Sequence, residues 1–273
     1  MNMKLFPEYT LNGVGAAILR ILVLTYVLFG IVLYVRQDAM LFFPDQTPFA
    51  NCPELADATL VSMEGTRGYF FQNGTSSDIM VFYHGNGGRA CDRAVYRTIG
   101  VTSGYSVLIV EYTGYAGDTS NTPSTKTLMT DVSRVARWVA ARNPRRLAIV
   151  GESIGTGAAS YHASLAQTES LALVAPFDRL SSAAFDVYPV YPMALLLRND
   201  LDNVKWAKSA ERVLILHGTS DPVIHYARGR ALFDSLPQSD KQFIPLAGAT
   251  HEDVLSSSRV FIAIAHFLQH RTP

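Results

Sequence analysis

The chain has 273 residues and equal numbers of acidic and basic side chains, so its formal net charge at pH 7 is zero and its isoelectric point is about 7.1. No run of Lys or Arg gives it the electrostatic footprint of a nucleic-acid-binding protein, and we expect no nucleic-acid partner. The length suits one α/β domain with a short extension. Charged residues make up 17% of the chain, below the usual quarter, and the N-terminus accounts for part of the shortfall.

The N-terminal segment is apolar enough to be a membrane anchor. From Leu11 to Val35 the one charged residue is Arg20, and a helix of that length reaches about 37 Å at about 1.5 Å per residue, enough to cross a bilayer. A cleaved signal peptide would need a small-x-small site after the run, and residues 34–39 offer no good one. We therefore predict a tail and anchor over residues 1–36 of a single-pass membrane protein, and a catalytic domain over residues 37–273.

The orientation of the anchor depends on a small charge bias. Lys4 and Arg20 lie toward its N-terminal side and Arg36 lies just beyond it, which slightly favours placing the main domain on the non-cytosolic side. Cys52 and Cys91 would pair if the domain faces an oxidising compartment, and otherwise they are small buried hydrophobes. No Cys-x-x-Cys or His-x-x-x-His spacing indicates a metal, and we expect neither a metal nor a cofactor.

Strands and helices alternate through the rest of the chain, which predicts one doubly wound, mostly parallel sheet. An Asn-Gly pair at residues 73–74 predicts a hairpin turn. The predicted strands cover residues 59–63, 69–72, 78–83, 105–112, 147–150, 171–175, 213–217 and 242–246. The predicted helices cover residues 91–101, 127–142 and 254–269.

The segment of residues 176–210 differs from the alternating pattern. It contains five aromatic side chains and three prolines and is too short for a large capping domain. Ligands bind beyond the carboxyl ends of the strands in such sheets, and this segment follows one of those ends. We predict a small helical flap over the site, with Phe177 contacting the substrate.

A candidate nucleophile lies in the run Gly151-Glu152-Ser153-Ile154-Gly155, between an apolar strand and an Ala-rich segment. A strand–corner–helix of this kind holds the serine in a strained backbone conformation and raises its hydroxyl above the sheet. The two glycines are needed because a side chain there would collide with the neighbouring strand or helix. The pattern predicts Ser153 as a nucleophile.

The serine needs a base, and the base needs a third group to hold it. The expected order along such a chain is serine, acid, histidine, and His251 lies in the loop between the last strand and the last helix. Asp221 follows the strand at residues 213–217, so it is the predicted acid. Asp178, after the preceding strand, is its main rival.

An oxyanion intermediate requires two hydrogen-bond donors. The backbone N–H of Ile154, directly after the nucleophile, is one predicted donor. The other is Asn86, in the glycine-rich loop of residues 84–88 that follows the strand at residues 78–83.

Together these motifs resemble the α/β-hydrolase superfamily, and are especially similar to its membrane-anchored BEM46/ABHD13/ABHD17-like serine hydrolases. The matching signatures are His84-Gly85-Asn86-Gly87-Gly88, Tyr112-Thr113-Gly114-Tyr115, Gly151-Glu152-Ser153-Ile154-Gly155, His217-Gly218-Thr219-Ser220-Asp221 and His251. The resemblance implies the α/β-hydrolase fold, a Ser153–His251–Asp221 triad and an oxyanion hole at Asn86 and Ile154. It also places Tyr112 and Tyr115 near the substrate, although Thr113 and Ala116 stand where the family has Arg and Gly.

The predicted activity is hydrolysis of carboxylic esters or thioesters through an acyl-enzyme, on a small-molecule or acyl-chain substrate. The alternatives are a peptidase or amidase of the same fold and a non-catalytic hydrolase fold that acts as a receptor or scaffold. The presence of all three triad residues argues against the last alternative. The sequence leaves the physiological substrate and the oligomeric state open.

Overall fold

The computed structural model describes residues 11–269, so residues 1–10 of the predicted tail and anchor (residues 1–36) lie outside the described part. The strands are β1 (Phe43–Pro44), β2 (Thr59–Met63), β3 (Thr66–Phe71), β4 (Ile79–Tyr83), β5 (Gly87–Gly88), β6 (Ser106–Glu111), β7 (Leu147–Glu152), β8 (Thr168–Val174), β9 (Ala210–Gly218) and β10 (Lys241–Leu246). The helices are α1 (Leu11–Leu41), α2 (Val95–Thr102), α3 (Thr125–Ala140), α4 (Gly155–Leu165), α5 (Leu180–Val187), α6 (Met193–Leu196), α7 (Asn203–Trp206), α8 (Tyr226–Ser235), α9 (His251–Ser256) and α10 (Ser258–Gln269).

Eight strands form the central sheet in the order β10-β9-β8-β7-β4-β6-β3-β2. All neighbours run parallel except β2 with β3 and β3 with β6. The predicted fold class, one mostly parallel sheet covered by helices, is therefore confirmed. The middle strands β4, β6 and β7 are buried at every position, as expected for strands covered on both faces.

The predicted hairpin at Asn73-Gly74 is wrong. A turn does form there, with the Ser76 N–H donating to the Asn73 carbonyl at 2.9 Å, but it joins β3 to β4, and β6 lies between those strands. The hairpin of this sheet edge joins β2 to β3 through Glu64 and Gly65, which both have positive φ. Positive φ at both central residues fits the backbone twist of a two-residue hairpin.

Each face of the sheet carries its own apolar core. One core packs α3 and α4 against the sheet, through residues such as Val132 and Ala159, and the other packs α2 and α10, through residues such as Ile99 and Ile264. Ser124, directly before helix α3, caps it: the Ser124 hydroxyl accepts a hydrogen bond from the Thr127 N–H. That cap satisfies a backbone donor that the helix itself leaves free.

Helix α1 is long and apolar enough to cross a membrane, with a mean hydropathy of 2.5 over its most apolar window. It continues to Leu41, five residues beyond the predicted end of the anchor at residue 36. Within residues 13–41 of this helix, the three buried residues are Gly30, Leu33 and Gln37. Their spacing of three and four residues places them on one face, and that face contacts the segment of residues 176–210.

Cys52 and Cys91 form a disulfide. The sequence left this pairing open. Cys52 lies in the linker after α1, and Cys91 lies in the turn after β5, so the bond ties the linker to the glycine-rich loop. The short β1–β5 pairing holds the same two segments together, with the Phe43 N–H donating to the Asn86 carbonyl at 2.9 Å.

A buried histidine joins α4 to the sheet. His162 has no exposed surface, and its Nδ1 lies 2.9 Å from the Tyr83 hydroxyl. Burial disfavours the charged imidazolium and lowers the pKa of His162 from 6.5 to about 3. The folded chain therefore keeps this side chain neutral over a pH range in which the unfolded chain would protonate it.

This difference predicts a loss of stability in mild acid. Because the folded pKa is depressed, the unfolded state binds the additional proton, and stability falls progressively from about pH 6.5 toward about pH 3. Between pH 7 and pH 5 the contribution of His162 to the free energy of unfolding should fall by about 2 kcal/mol. Denaturant unfolding of the full chain in detergent should show this decline, and His162→Gln should lack it. The exposed His225, changed to Gln, is the control and should retain the decline. An unchanged pH slope in His162→Gln would contradict the assignment.

Candidate active site

The corner between β7 and α4 presents Ser153. Its φ is +52°, a left-handed conformation that non-glycine residues seldom adopt, so the strain expected from the sequence is present. A Cβ atom at Gly151 would collide with the Gly155 carbonyl, and a Cβ atom at Gly155 would collide with the carbonyls of Tyr83 and His84. Both glycines are therefore required by close packing of α4 against the sheet.

Three predicted side chains come together above this corner. His251 Nε2 lies 3.1 Å from Ser153 Oγ, and His251 Nδ1 lies 2.7 Å from Asp221 Oδ2. A carboxylate only accepts hydrogen bonds, so Nδ1 carries the proton and the lone pair of Nε2 faces the serine hydroxyl. This tautomer is the one in which the imidazole can accept the serine proton.

Asp221 is held as a carboxylate. Its Oδ1 accepts hydrogen bonds from the N–H groups of Val223 and Ile224 at 2.8 and 2.9 Å. Burial alone would raise the pKa of this carboxyl, but contacts with His217 and His251 and the Ile224 N–H outweigh it and hold the pKa well below its usual range. The negative charge needed to orient His251 is therefore present across the physiological pH range.

His217 contacts Asp221, a role that the sequence motif did not indicate. Its Nε2 lies 2.9 Å from the Ile224 carbonyl and 3.5 Å from Asp221 Oδ2. A carbonyl only accepts, so Nε2 carries the proton and directs positive charge density toward the carboxylate. His217 is the next-to-last residue of β9 and lies four residues before Asp221, and that spacing was the available signal.

The acid and the base are brought together by the ends of neighbouring strands. Asp221 follows β9, and His251 begins α9 after β10, which pairs with β9. A Cβ atom at Gly218 would collide with the Ala249 carbonyl, so the loop that carries His251 packs directly on the end of β9. Thr250 caps α9 through a reciprocal pair of hydrogen bonds with Asp253, which fixes the start of the helix.

Both predicted oxyanion donors border the site. Asn86 and Ile154 line the same cavity as Ser153. Within residues 11–269, neither backbone N–H donates to a protein acceptor, so both are available to a ligand. A Cβ atom at Gly85 would lie 3.6 Å from Ser153 Cβ, so the glycine-rich loop passes close over the nucleophile.

Tyr112 and Tyr115, which the resemblance places near the substrate, are not among the described residues that line the cavity above Ser153. Both are buried: the Tyr112 hydroxyl donates to the His84 carbonyl at 2.8 Å, and the Tyr115 hydroxyl donates to the Asn86 carbonyl at 2.6 Å. They therefore support the glycine-rich loop from behind. Phe177, the third predicted substrate contact, does line the cavity.

Glu152 is a buried charge beside the nucleophile that the sequence analysis did not assign. Arg93 Nε donates to it at 2.7 Å, and the Tyr96 hydroxyl donates at 2.8 Å. Both partners lie in or next to α2, so these bonds anchor the serine corner to the helix after the glycine-rich loop. Burial raises the pKa of the Glu152 carboxyl, although the Arg93 charge opposes the shift. The one sequence signal for this anchoring role is the position of Glu152 within the Gly-x-Ser-x-Gly run.

The cavity above Ser153 has a volume of about 260 Å³ and mostly apolar walls. Besides Ser153, Asn86 and Ile154, the walls come from three parts of the chain. They are the C-terminal end of α1, the segment of residues 177–197, and Val223 and Ile224, which follow Asp221 and Pro222. Asp178, the rival acid, does not approach His251 and instead lies 3.8 Å from Arg228 Nη1.

One group of potential metal ligands occurs within the described residues: the side chains of Cys52, Glu54 and Cys91, whose donor atoms lie within 4.8 Å of one another. The two sulfurs are joined in the disulfide. A thiolate is the form that binds metal, so this group offers no thiolate while the bond is intact.

No protein-family model matches the chain. Among curated proteins, it is 27% identical over 255 residues to an uncharacterised protein of Mycobacterium tuberculosis, a match that covers 88% of this chain and 90% of the relative. It is also 27% identical over 211 residues to Alpha/beta hydrolase domain-containing protein 17C of Xenopus laevis, covering 71% of this chain and 62% of that protein. The chain thus spans about three fifths of the length of this second relative.

Solved structures show the same fold. An esterase of Pyrococcus furiosus, PF2001, superimposes with a TM-score of 0.63 at 12% identity, covering 84% of this chain and 97% of the esterase. A monoacylglycerol lipase of Paleococcus ferrophilus superimposes with a TM-score of 0.56 at 17% identity, covering 75% of this chain and 98% of the lipase. These comparisons and the sheet described above show that the chain has the α/β-hydrolase fold, and they confirm its resemblance to the ABHD17-like branch.

Proposed function

We propose that the chain is a serine hydrolase that cleaves carboxylic esters or thioesters through an acyl-enzyme. One observation carries the proposal: the hydrogen-bonded series from Asp221 through His251 to Ser153 Oγ, with contacts of 2.7 and 3.1 Å. A serine hydroxyl becomes an effective nucleophile when a correctly oriented imidazole removes its proton.

The proposed reaction has two halves. His251 Nε2 accepts the Ser153 proton as Oγ bonds to the acyl carbon, and the resulting oxyanion is stabilised by the N–H groups of Ile154 and Asn86. The imidazolium then donates its proton to the departing alcohol or thiol, which leaves the acyl group on Ser153. In the second half, His251 removes a proton from water, hydroxide adds to the acyl carbon, and the proton returns to Ser153 Oγ as the carboxylic acid leaves.

The character of the cavity supports an acyl substrate. Its walls beside Ser153 are largely Leu, Met, Val and Ala side chains, which favour hydrocarbon over a polar peptide. The names of the structural relatives, an esterase and a monoacylglycerol lipase, point to the same bond type.

We further propose that α1 anchors the protein in a membrane with the catalytic domain on the non-cytosolic side. The helix is long and apolar enough to span a bilayer, and the charge bias around it favours this orientation. The Cys52–Cys91 disulfide adds support, because such bonds persist in oxidising compartments and are rare in the cytosol.

Replacing the nucleophile should abolish catalysis without unfolding the chain. For Ser153→Ala we expect kcat to fall by on the order of 10⁶-fold and labelling by a fluorophosphonate probe to disappear. The measurement is turnover of a matched panel of p-nitrophenyl ester, thioester and anilide substrates. Labelling of the alanine variant at the parental level would refute the proposal. Preferential cleavage of the anilide would favour an amidase, and a folded parent that cleaves none of the panel would favour a receptor or scaffold.

Replacing each candidate acid in turn should show which carboxylate, Asp221 or Asp178, supports catalysis. Asp221→Asn removes the charge that fixes the His251 tautomer, so kcat should fall by about 10⁴-fold, while the unfolding transition stays cooperative. Asp178→Asn makes the same chemical change at the rival position and should retain kcat within a few-fold. The reverse ranking of the two variants would assign the acid to Asp178.

The orientation predicts the thiol content of the protein in cells. We expect neither cysteine to react with a maleimide polymer when the parent is denatured in acid and alkylated without reductant. Cys52→Ser should add one reactive thiol, and reduction should add two to the parent. Reactive thiols in the unreduced parent would contradict the proposed compartment.

A further inference from the structure

The anchor helix forms part of the cavity that contains Ser153. Four side chains from the last third of α1 line that cavity: Leu33, Gln37, Met40 and Leu41. Phe177 and side chains of the flap helices α5 and α6 line the same cavity. A membrane tether attached only through a flexible linker would have no side chains in this position.

The length of α1 leaves its C-terminal third free to serve the catalytic domain. Its 31 residues extend about 46 Å at about 1.5 Å per residue, whereas the hydrocarbon core of a bilayer is about 30 Å thick. About 20 residues suffice for the crossing, and the remaining turns carry the cavity-lining side chains.

Specific contacts fix the flap against the helix. The rings of Tyr26 and Tyr191 stack with centroids 4.5 Å apart. The Tyr26 hydroxyl donates to the Val190 carbonyl, and the Tyr191 hydroxyl donates to the Tyr26 carbonyl, each at 3.0 Å. Arg198 forms an ion pair with Asp38 farther along the helix. The helix and the flap are therefore packed directly against each other beside the cavity.

Gln37 is the one polar side chain of α1 that lines the cavity, and its amide oxygen and nitrogen are both hydrogen-bonded within the protein. Its Nε2 donates to the Tyr34 carbonyl at 2.7 Å and to the Leu196 carbonyl at 3.3 Å. Its Oε1 accepts from the Arg198 N–H at 2.9 Å. With these groups satisfied, the cavity lining contributed by Gln37 does not select a polar ligand.

The outer surface of the flap next to α1 is apolar. Val187, which also lines the cavity, is 61% exposed, and Val190 and Leu195 are 70% and 82% exposed. This part of the flap adjoins α1, since the Val190 carbonyl accepts a hydrogen bond from the Tyr26 hydroxyl. Exposed apolar side chains beside a helix that is long enough to span a membrane are suited to contact lipid rather than water.

We propose that α1 and the flap together bind the acyl chain of a membrane-resident ester or thioester, and that the chain enters from the bilayer between them. This inference rests on the proposed function and names its substrate class. The cavity volume of about 260 Å³ lies just below the range of about 300–1,000 Å³ typical of small-molecule pockets. It therefore suits a single hydrocarbon chain, with the carbonyl at Ser153 and the rest of the chain toward Leu33.

A substitution at Leu33 tests whether the side of the cavity formed by α1 contacts the acyl chain. Leu33→Trp fills the inner part of the cavity, so the ratio of kcat/KM for p-nitrophenyl palmitate to that for p-nitrophenyl butyrate should fall at least about tenfold, since losing the burial of even two methylene groups costs more than 1.4 kcal/mol. Val32→Trp adds the same ring at the adjacent, exposed position, which does not line the cavity, and should keep the parental ratio. The full chain is assayed in lipid nanodiscs. An unchanged ratio in Leu33→Trp, or an equal fall in both variants, would overturn the proposal.

A covalent probe gives a second measurement on the parent protein, which does not depend on how the variant folds. A palmitoyl-length fluorophosphonate with a diazirine at the far end of its chain would react at Ser153 and then be photolysed. We expect its cross-links in residues 33–41 or 180–197. Cross-links confined to other segments would overturn the acyl site and leave the hydrolase proposal intact. Failure of the probe to label the parent, together with no butyrate turnover, would instead remove the proposed function.

Discussion

The hydrogen bond between Asp221 and His251 is the interaction on which the chemistry of the site depends. It determines which imidazole nitrogen carries the proton, and therefore that an unprotonated nitrogen faces the Ser153 hydroxyl at 3.1 Å. The bond forms because two adjacent parallel strands end side by side and Gly218 lets their following loops pack without a gap. Two backbone N–H groups and His217 keep the carboxylate ionised in a buried position, where an unpaired charge would be costly.

The fold and the central residues of the site could be predicted from the sequence because their signals are local. Ser153 is recognisable since its conformation and the close approach of α4 to β4 require glycines at fixed offsets on both sides. Asp221 and His251 follow the last two strands, and the connectivity of a doubly wound sheet brings such positions to one edge. Length and alternation were enough to place the strands in one mostly parallel sheet.

Other features depend on contacts between distant segments, and no local pattern encodes them. Gln37 and Asp38 resemble the polar end of an anchor, yet the helix continues past them to Leu41, and both side chains contact Arg198 of the flap. The hydroxyls of Tyr112 and Tyr115 point to backbone carbonyls behind the loop rather than into the cavity, a direction that the motif does not reveal. The Asn-Gly turn is correct as a turn but wrong as a hairpin, because strand order in the sheet is set by packing rather than by the connecting residues.

The stacking of Tyr26 on Tyr191 has a mechanical consequence. A membrane helix whose apolar length exceeds the bilayer thickness accommodates the mismatch by tilting. If α1 spans a bilayer, a change in tilt moves the flap and the helix together near Tyr26 while the short β1–β5 pairing restrains the far end of the helix. Lipid composition would then adjust the width of the proposed acyl cavity, and the rate of the proposed hydrolysis would depend on membrane thickness.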